Sequence, residues 1–126
     1  MIVKQNVTHY AEAEAFVTKD GSVIRELMHP SQHASQAQSL AEARLSTGQK
    51  TLLHRHLKTE ELYYITHGQG LMTVAEQQFE VRAGDTVCIL PGQAHCIENI
   101  AAEELLLFCC CSPAYSHGDT EIVAEV

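Results

Sequence analysis

The chain has 126 residues, of which 45% are hydrophobic and 19% charged, enough for one domain with its own core. The formal charge is -8 with His neutral, and no run of Lys and Arg occurs, so a phosphate-backbone partner is not expected. No apolar stretch approaches the roughly 20 residues needed to span a bilayer, and the amino terminus lacks the basic-then-apolar pattern of a signal peptide.

Taken in chain order, residues 9–16 (HYAEAEAF) hold the one helical turn or two that the pattern predicts. After them, short β-rich runs alternate with turn residues, which predicts strands near 22–29, 38–46, 51–57, 61–66, 70–75, 78–82, 86–90, 94–99 and 104–111. Asp20-Gly21, His29-Pro30, Thr47-Gly48, the 67–70 turn, Ala83-Gly84-Asp85 and Pro91-Gly92 punctuate them, each with a residue suited to turn geometry. Residues 31–39 read as a polar surface loop, and 112–126 as a polar tail packed outside the barrel. The expectation is one all-β domain over 1–126, with a core at about 22–111 and an N-terminal extension. Small barrels often pair and residues 1–30 exceed what one barrel needs, so a homodimer is expected, with that segment adding a strand to an exposed edge.

Five cysteines (Cys88, Cys96, Cys109, Cys110 and Cys111) form neither a C-x-x-C pair nor an even disulfide framework. Free thiols without an export signal predict a reducing cytoplasm. Cys109 and Cys111 share one strand face and read best as small apolar filler, with Cys96 pointing away from its neighbour His95.

Chemistry concentrates in four residues. His54 and His56 are two apart, so on a strand both imidazoles face one side about 7 Å apart. Glu61 and His95 each open a later strand. If the sheet closes on itself, inward side chains from neighbouring strands can meet at one point. Glu60 is the rival carboxylate, but Glu61 shares strand phase with Tyr63 and Ile65.

The spacing makes the resemblance specific. Gly48, five residues, His54-Arg55-His56, four residues, Glu61, six residues and Gly68 are similar to the first motif of the cupins. Gly84, Gly92, His95 and Asn99 are similar to the second, with Leu90 in the usual Pro position and Pro91 next to it. The resemblance implies a double-stranded β-helix (jelly-roll) barrel in which His54, His56, Glu61 and His95 hold one divalent metal. Imidazole and carboxylate donors suit Fe, Mn, Ni, Zn or Cu. It also implies a small-molecule ligand, with Tyr63, Met72 and Arg44 the candidate substrate contacts; Arg25 is a further candidate. His29, His33 and His67 are expected to be solvated. Because cupins share a fold more than an activity, the expected function is a metal-dependent enzyme on a polar small molecule. Dioxygenase-type chemistry stands ahead of sugar or sugar-phosphate isomerase or epimerase chemistry, and of a non-catalytic binding barrel. The tail at Pro113–Thr120 resembles, over a short stretch, the endings of small sugar-isomerase-like cupins.

Overall fold

The computed structural model describes residues 4–124. Eleven strands are present among them: β1 (Ala15–Val17), β2 (Val23–Met28), β3 (Ser39–Leu45), β4 (His54–His56), β5 (Glu60–His67), β6 (Gln69–Val74), β7 (Gln77–Arg82), β8 (Thr86–Ile89), β9 (His95–Asn99), β10 (Leu105–Ser112) and β11 (Thr120–Ile122). They form two antiparallel sheets, ordered β1-β2-β3-β10-β5-β8 and β11-β4-β9-β6-β7. This is the all-β architecture that the strand pattern predicted, in the jelly-roll form that the resemblance implied. No described helix is long and apolar enough to cross a membrane.

Strict alternation drives the layering. Along β5, Glu61, Tyr63 and Ile65 are buried while Glu60, Leu62 and Tyr64 are exposed. In β3 the inward set is Ala41, Ala43 and Leu45, and in β10 it is Leu105, Leu107, Cys109 and Cys111. Leu45, Ile65, Met72, Ile89, Ile97, Leu105 and Leu107 are almost wholly enclosed between the sheets. Each contributes about 1.5–3 kcal/mol of burial, so an aliphatic core suffices without Trp.

Two of the predicted boundaries are corrected. Residues 9–16 carry a 3₁₀ turn only at Tyr10–Glu12 and then enter β1, which pairs with β2 of the same chain rather than waiting for a partner's edge. The tail is not an outer strap: β11 pairs with β4, setting Thr120 opposite His56 and Ile122 opposite His54. The β6–β7 hairpin turns on Ala75, at φ 53°, with no Gly to announce it.

Gly68 shows why one motif glycine is needed. It lies at φ +86°, and a Cβ there would stand 2.5 Å from the Glu104 carbonyl oxygen. Backbone conformation and space both require the missing side chain.

Candidate metal centre

Strand pairing assembles the centre from three parts of the chain. β4 supplies His54 and His56 on one face, and His54 lies directly opposite His95 of β9. β5 brings Glu61 across from the other sheet. The turn carrying His95 is itself tied to β4, through Gly92 N–H donating to the His56 carbonyl at 2.7 Å. Leu90 at the variant motif position therefore leaves His95 in register.

His54, His56 and His95 are buried and each offers a ring nitrogen within 4.8 Å of the others. The His54 and His95 ring centroids are 4.1 Å apart, and His56 lies 5.4 Å from each. The tautomers follow from the acceptors behind the rings. His54 Nδ1–H donates to the Leu52 carbonyl at 2.7 Å and His95 Nδ1–H to the Gln93 carbonyl at 3.0 Å. Behind His56 is Thr120 Oγ1, at 2.9 Å. That hydroxyl gives its one proton to the Ser116 carbonyl, also at 2.9 Å, so it must accept from His56 Nδ1–H.

All three Nε2 lone pairs are thus aimed into one space, the outer-shell arrangement that orients imidazole for a metal. Glu61 Oε1 enters the same space, 3.2 Å from His56 Nε2 and 3.3 Å from His95 Nε2. With Nδ1 protonated, a neutral imidazole meets that carboxylate lone pair to lone pair. His95 Nε2 is in addition fully buried and has no hydrogen-bond partner. A cation in the middle, a proton or a metal, relieves both problems, so the donor set fits a divalent ion.

Electrostatics agree. Burial pushes the Glu61 carboxyl up, but where His56 and His95 carry a proton on Nε2 their hydrogen bonds and charge outweigh it and lower it to about 2. Burial first, and then His95, pushes His54 below its ordinary value, although Asp20 opposes this from 3.5 Å. His54 thereby keeps the neutral form that a metal ligand needs. Glu60, the rival carboxylate, is exposed.

The centre opens into a cavity of about 50 Å³, room for roughly three or four waters by the same measure. Tyr63 lines it, with its ring edge-on to His95 at 6.1 Å. Met72 does not line it; it is wholly enclosed in the core. Arg44 does not reach it either: Ala43 and Leu45 take the inward phase of β3, which turns Arg44 to the outer face. Arg25 is likewise spent, over the Tyr10 ring at 5.3 Å. No Lys or Arg is among the cavity's lining residues, whereas Asp20, Glu26 and Glu61 are.

Cys109 and Cys111 also line the cavity, and all five thiols are free. Burial raises both thiols well above their ordinary value, with Glu61 adding to it, so they pack as small apolar groups rather than act as nucleophiles. Sequence reasoning missed Thr120, Tyr115, Asp20 and Glu26. The Tyr115 ring stands edge-on to His56 at 5.9 Å. A Thr or Tyr in a polar tail carries no local signal of such a contact.

The profile of the Cupin domain family matches residues 41–111, the stretch that carries all four residues. The chain belongs to the cupin family. An uncharacterized protein of Methanocaldococcus jannaschii is 52% identical over 116 residues, covering 92% of this cupin and 93% of that protein. The oxalate-binding protein of Thermotoga maritima is 31% identical over 81 residues, covering 64% of this chain and 63% of that one. Oxalate decarboxylase from Bacillus subtilis superimposes with a TM-score of 0.80 at 19% identity, covering 98% of this cupin and 33% of that chain.

Proposed function

We propose that this cupin holds one divalent transition metal on His54, His56, Glu61 and His95, and uses it to bind and transform a small carboxylate of about oxalate size. The observation that carries the reading is the convergence of three Nε2 lone pairs and one carboxylate at the end of a cavity of about 50 Å³. When bound, the ion would supply Lewis-acid polarisation of a ligand oxygen and, as iron, manganese or copper, redox capacity for dioxygenase-type chemistry. Zinc or nickel would serve polarisation alone.

The chain's own residues narrow the ligand. A phosphorylated sugar would need cationic side chains, and none line the cavity. This weighs against the isomerase reading, despite the tail's likeness to such cupins. A carboxylate ligand agrees with the name of the Thermotoga maritima relative. That same name favours a second reading, a barrel that binds without turnover.

One experiment separates these. Protein purified without a His tag is loaded with Fe(II) or Mn(II) and given oxalate, and oxygen uptake and oxalate loss are followed together. Oxalate loss supports turnover: with oxygen uptake it is oxidation to carbon dioxide with oxygen reduced to hydrogen peroxide, and without oxygen uptake it is decarboxylation. Binding without consumption moves the protein to the binding class. Failure to take up any metal, with no change in His95→Ala, refutes the centre.

We further propose a homodimer through the outer face of the six-stranded sheet. The strand registers align Leu40, Cys110, Leu62 and Cys88 in one row, with Phe108 and Tyr64 side by side in the next. Leu40, Leu62 and Tyr64 are 38%, 40% and 47% exposed, an apolar band that a second copy would cover.

A further inference from the structure

Glu26 lies on the inward face of β2 with Ser22 and Ile24, and all three line the metal cavity. Its Oε1 is fully buried and has no hydrogen-bond partner. Nothing in the packing calls for an acid here. Glu26 makes no ion pair among the described residues, and its register partner is Ala41. His29 is the one basic side chain that acts on it, and both His29 ring nitrogens are taken, Nε2 by the Tyr115 carbonyl at 2.8 Å and Nδ1 by Ser31 at 2.9 Å. A Val, Ile or Met would fill the position without leaving a buried polar atom unpaired.

Its location is more specific than its burial. The strand registers put Glu26 in one row with Ala41, Cys109 and Tyr63, next to the row of Cys111 and Glu61, and Cys111 Sγ is 3.2 Å from Glu61 Oε2. On the other side, Glu26 and Phe16 also wall an outer groove of about 430 Å³ beneath the N-terminal segment, lined as well by His9, Glu12 and His33. Glu26 therefore lines both the metal cavity and the outer groove.

We infer that the Glu26 carboxyl group, whose buried oxygen has no partner in the cavity wall, donates the hydrogen bond that seats the cavity's carboxylate ligand. This rests on the proposed small-carboxylate reading. The cavity offers acidic neighbours and no Lys or Arg, so an anionic ligand needs a neutral donor at the end remote from the ion. Burial raises the Glu26 carboxyl above its ordinary value, in the direction that favours the protonated, donating form. The outer groove gives that proton exchange with solvent.

Cobalt(II)-loaded protein provides the test, with oxalate as probe and the visible cobalt band as readout. Glu26→Gln keeps a donor of the same shape, and Glu26→Met and Glu26→Ala remove it. Oxalate affinity is expected to stay within about threefold of wild type in Glu26→Gln and to fall about tenfold or more in Glu26→Met and Glu26→Ala. Cobalt stoichiometry should be equal in all four proteins. Wild-type affinity in either apolar variant would overturn the inference and leave the metal-carboxylate reading standing. A loss in Glu26→Gln as large as in Glu26→Met would also overturn it, because donation would not be what the residue supplies. An absence of any oxalate response in the wild type would instead overturn the carboxylate reading, and this inference with it.

Discussion

The hydroxyl of Thr120 is the most informative single group to remove. Thr120 is 3% exposed, and Thr120→Val deletes the oxygen while nearly preserving shape. Two bonds of 2.9 Å go with it, one from His56 Nδ1–H and one to the Ser116 carbonyl. A buried ring N–H left without an acceptor costs about 1–3 kcal/mol. The imidazole can avoid that cost by moving its proton to Nε2, where Glu61 Oε1 waits at 3.2 Å. That tautomer is comfortable without a metal and wrong for binding one. The two effects act in the same direction on metal affinity, so a loss of about 10–100-fold is expected, the range found for outer-shell partners of ligating histidines. Competition for zinc against a chromogenic chelator measures it, with thermal unfolding of the metal-free protein alongside. Metal affinity within twofold of wild type in Thr120→Val would refute the tautomer argument. So would a large affinity loss that tracks equally large unfolding of the apo form.

Four further outcomes are expected. A raised carboxyl pKa in the folded state stabilises it most below the ordinary value of 4.5 and is lost as pH rises through the raised one. Chemical denaturation of the metal-free protein should therefore show wild type losing stability relative to Glu26→Gln as pH rises above about 4.5; parallel pH curves would count against the assignment. Glu26→Met should raise the Tm by several degrees, since it removes a buried unpaired oxygen worth about 1–3 kcal/mol. Gly68→Ala places a Cβ against the Glu104 carbonyl at a positive φ, and should cost at least about 2 kcal/mol by the same denaturation assay. Leu62→Glu with Tyr64→Lys should convert a dimer to a monomer by light scattering while leaving metal content unchanged, because both side chains lie on the outer face.

Much of the site was legible because its information is local. The two-residue spacing of His54 and His56 puts them on one face of any strand, and the phase of ELYYI separates buried Glu61 from exposed Glu60. Gly and Pro marked most turns, and the strands they bound lie close to those predicted, apart from β1, β11 and the Ala75 turn. The same alternation was available for Arg44. In SLAEARL, however, apolar residues at both Leu40 and Leu45 fall on opposite phases, so the inward set could not be chosen by hydrophobicity alone. Met72 was rightly placed inward, but its depth relative to the cavity depends on how the sheets close.

What remained hidden was set by pairings between distant segments. Thr120 meets His56 only because β11 adds to β4, 64 residues away in the chain. Glu26 carries no local signal of its place in the cavity wall, which pairing of β2 with β3 sets. The amino-acid sequence by itself determined which side chains share a strand face, since that follows from a backbone period of two. Only the tertiary structure decided which faces meet, which ring nitrogen carries each proton and which carboxyl is left without a partner. Those depend on acceptors brought in by sheet closure, where the burial of the whole core, rather than any local preference, selects the neighbours.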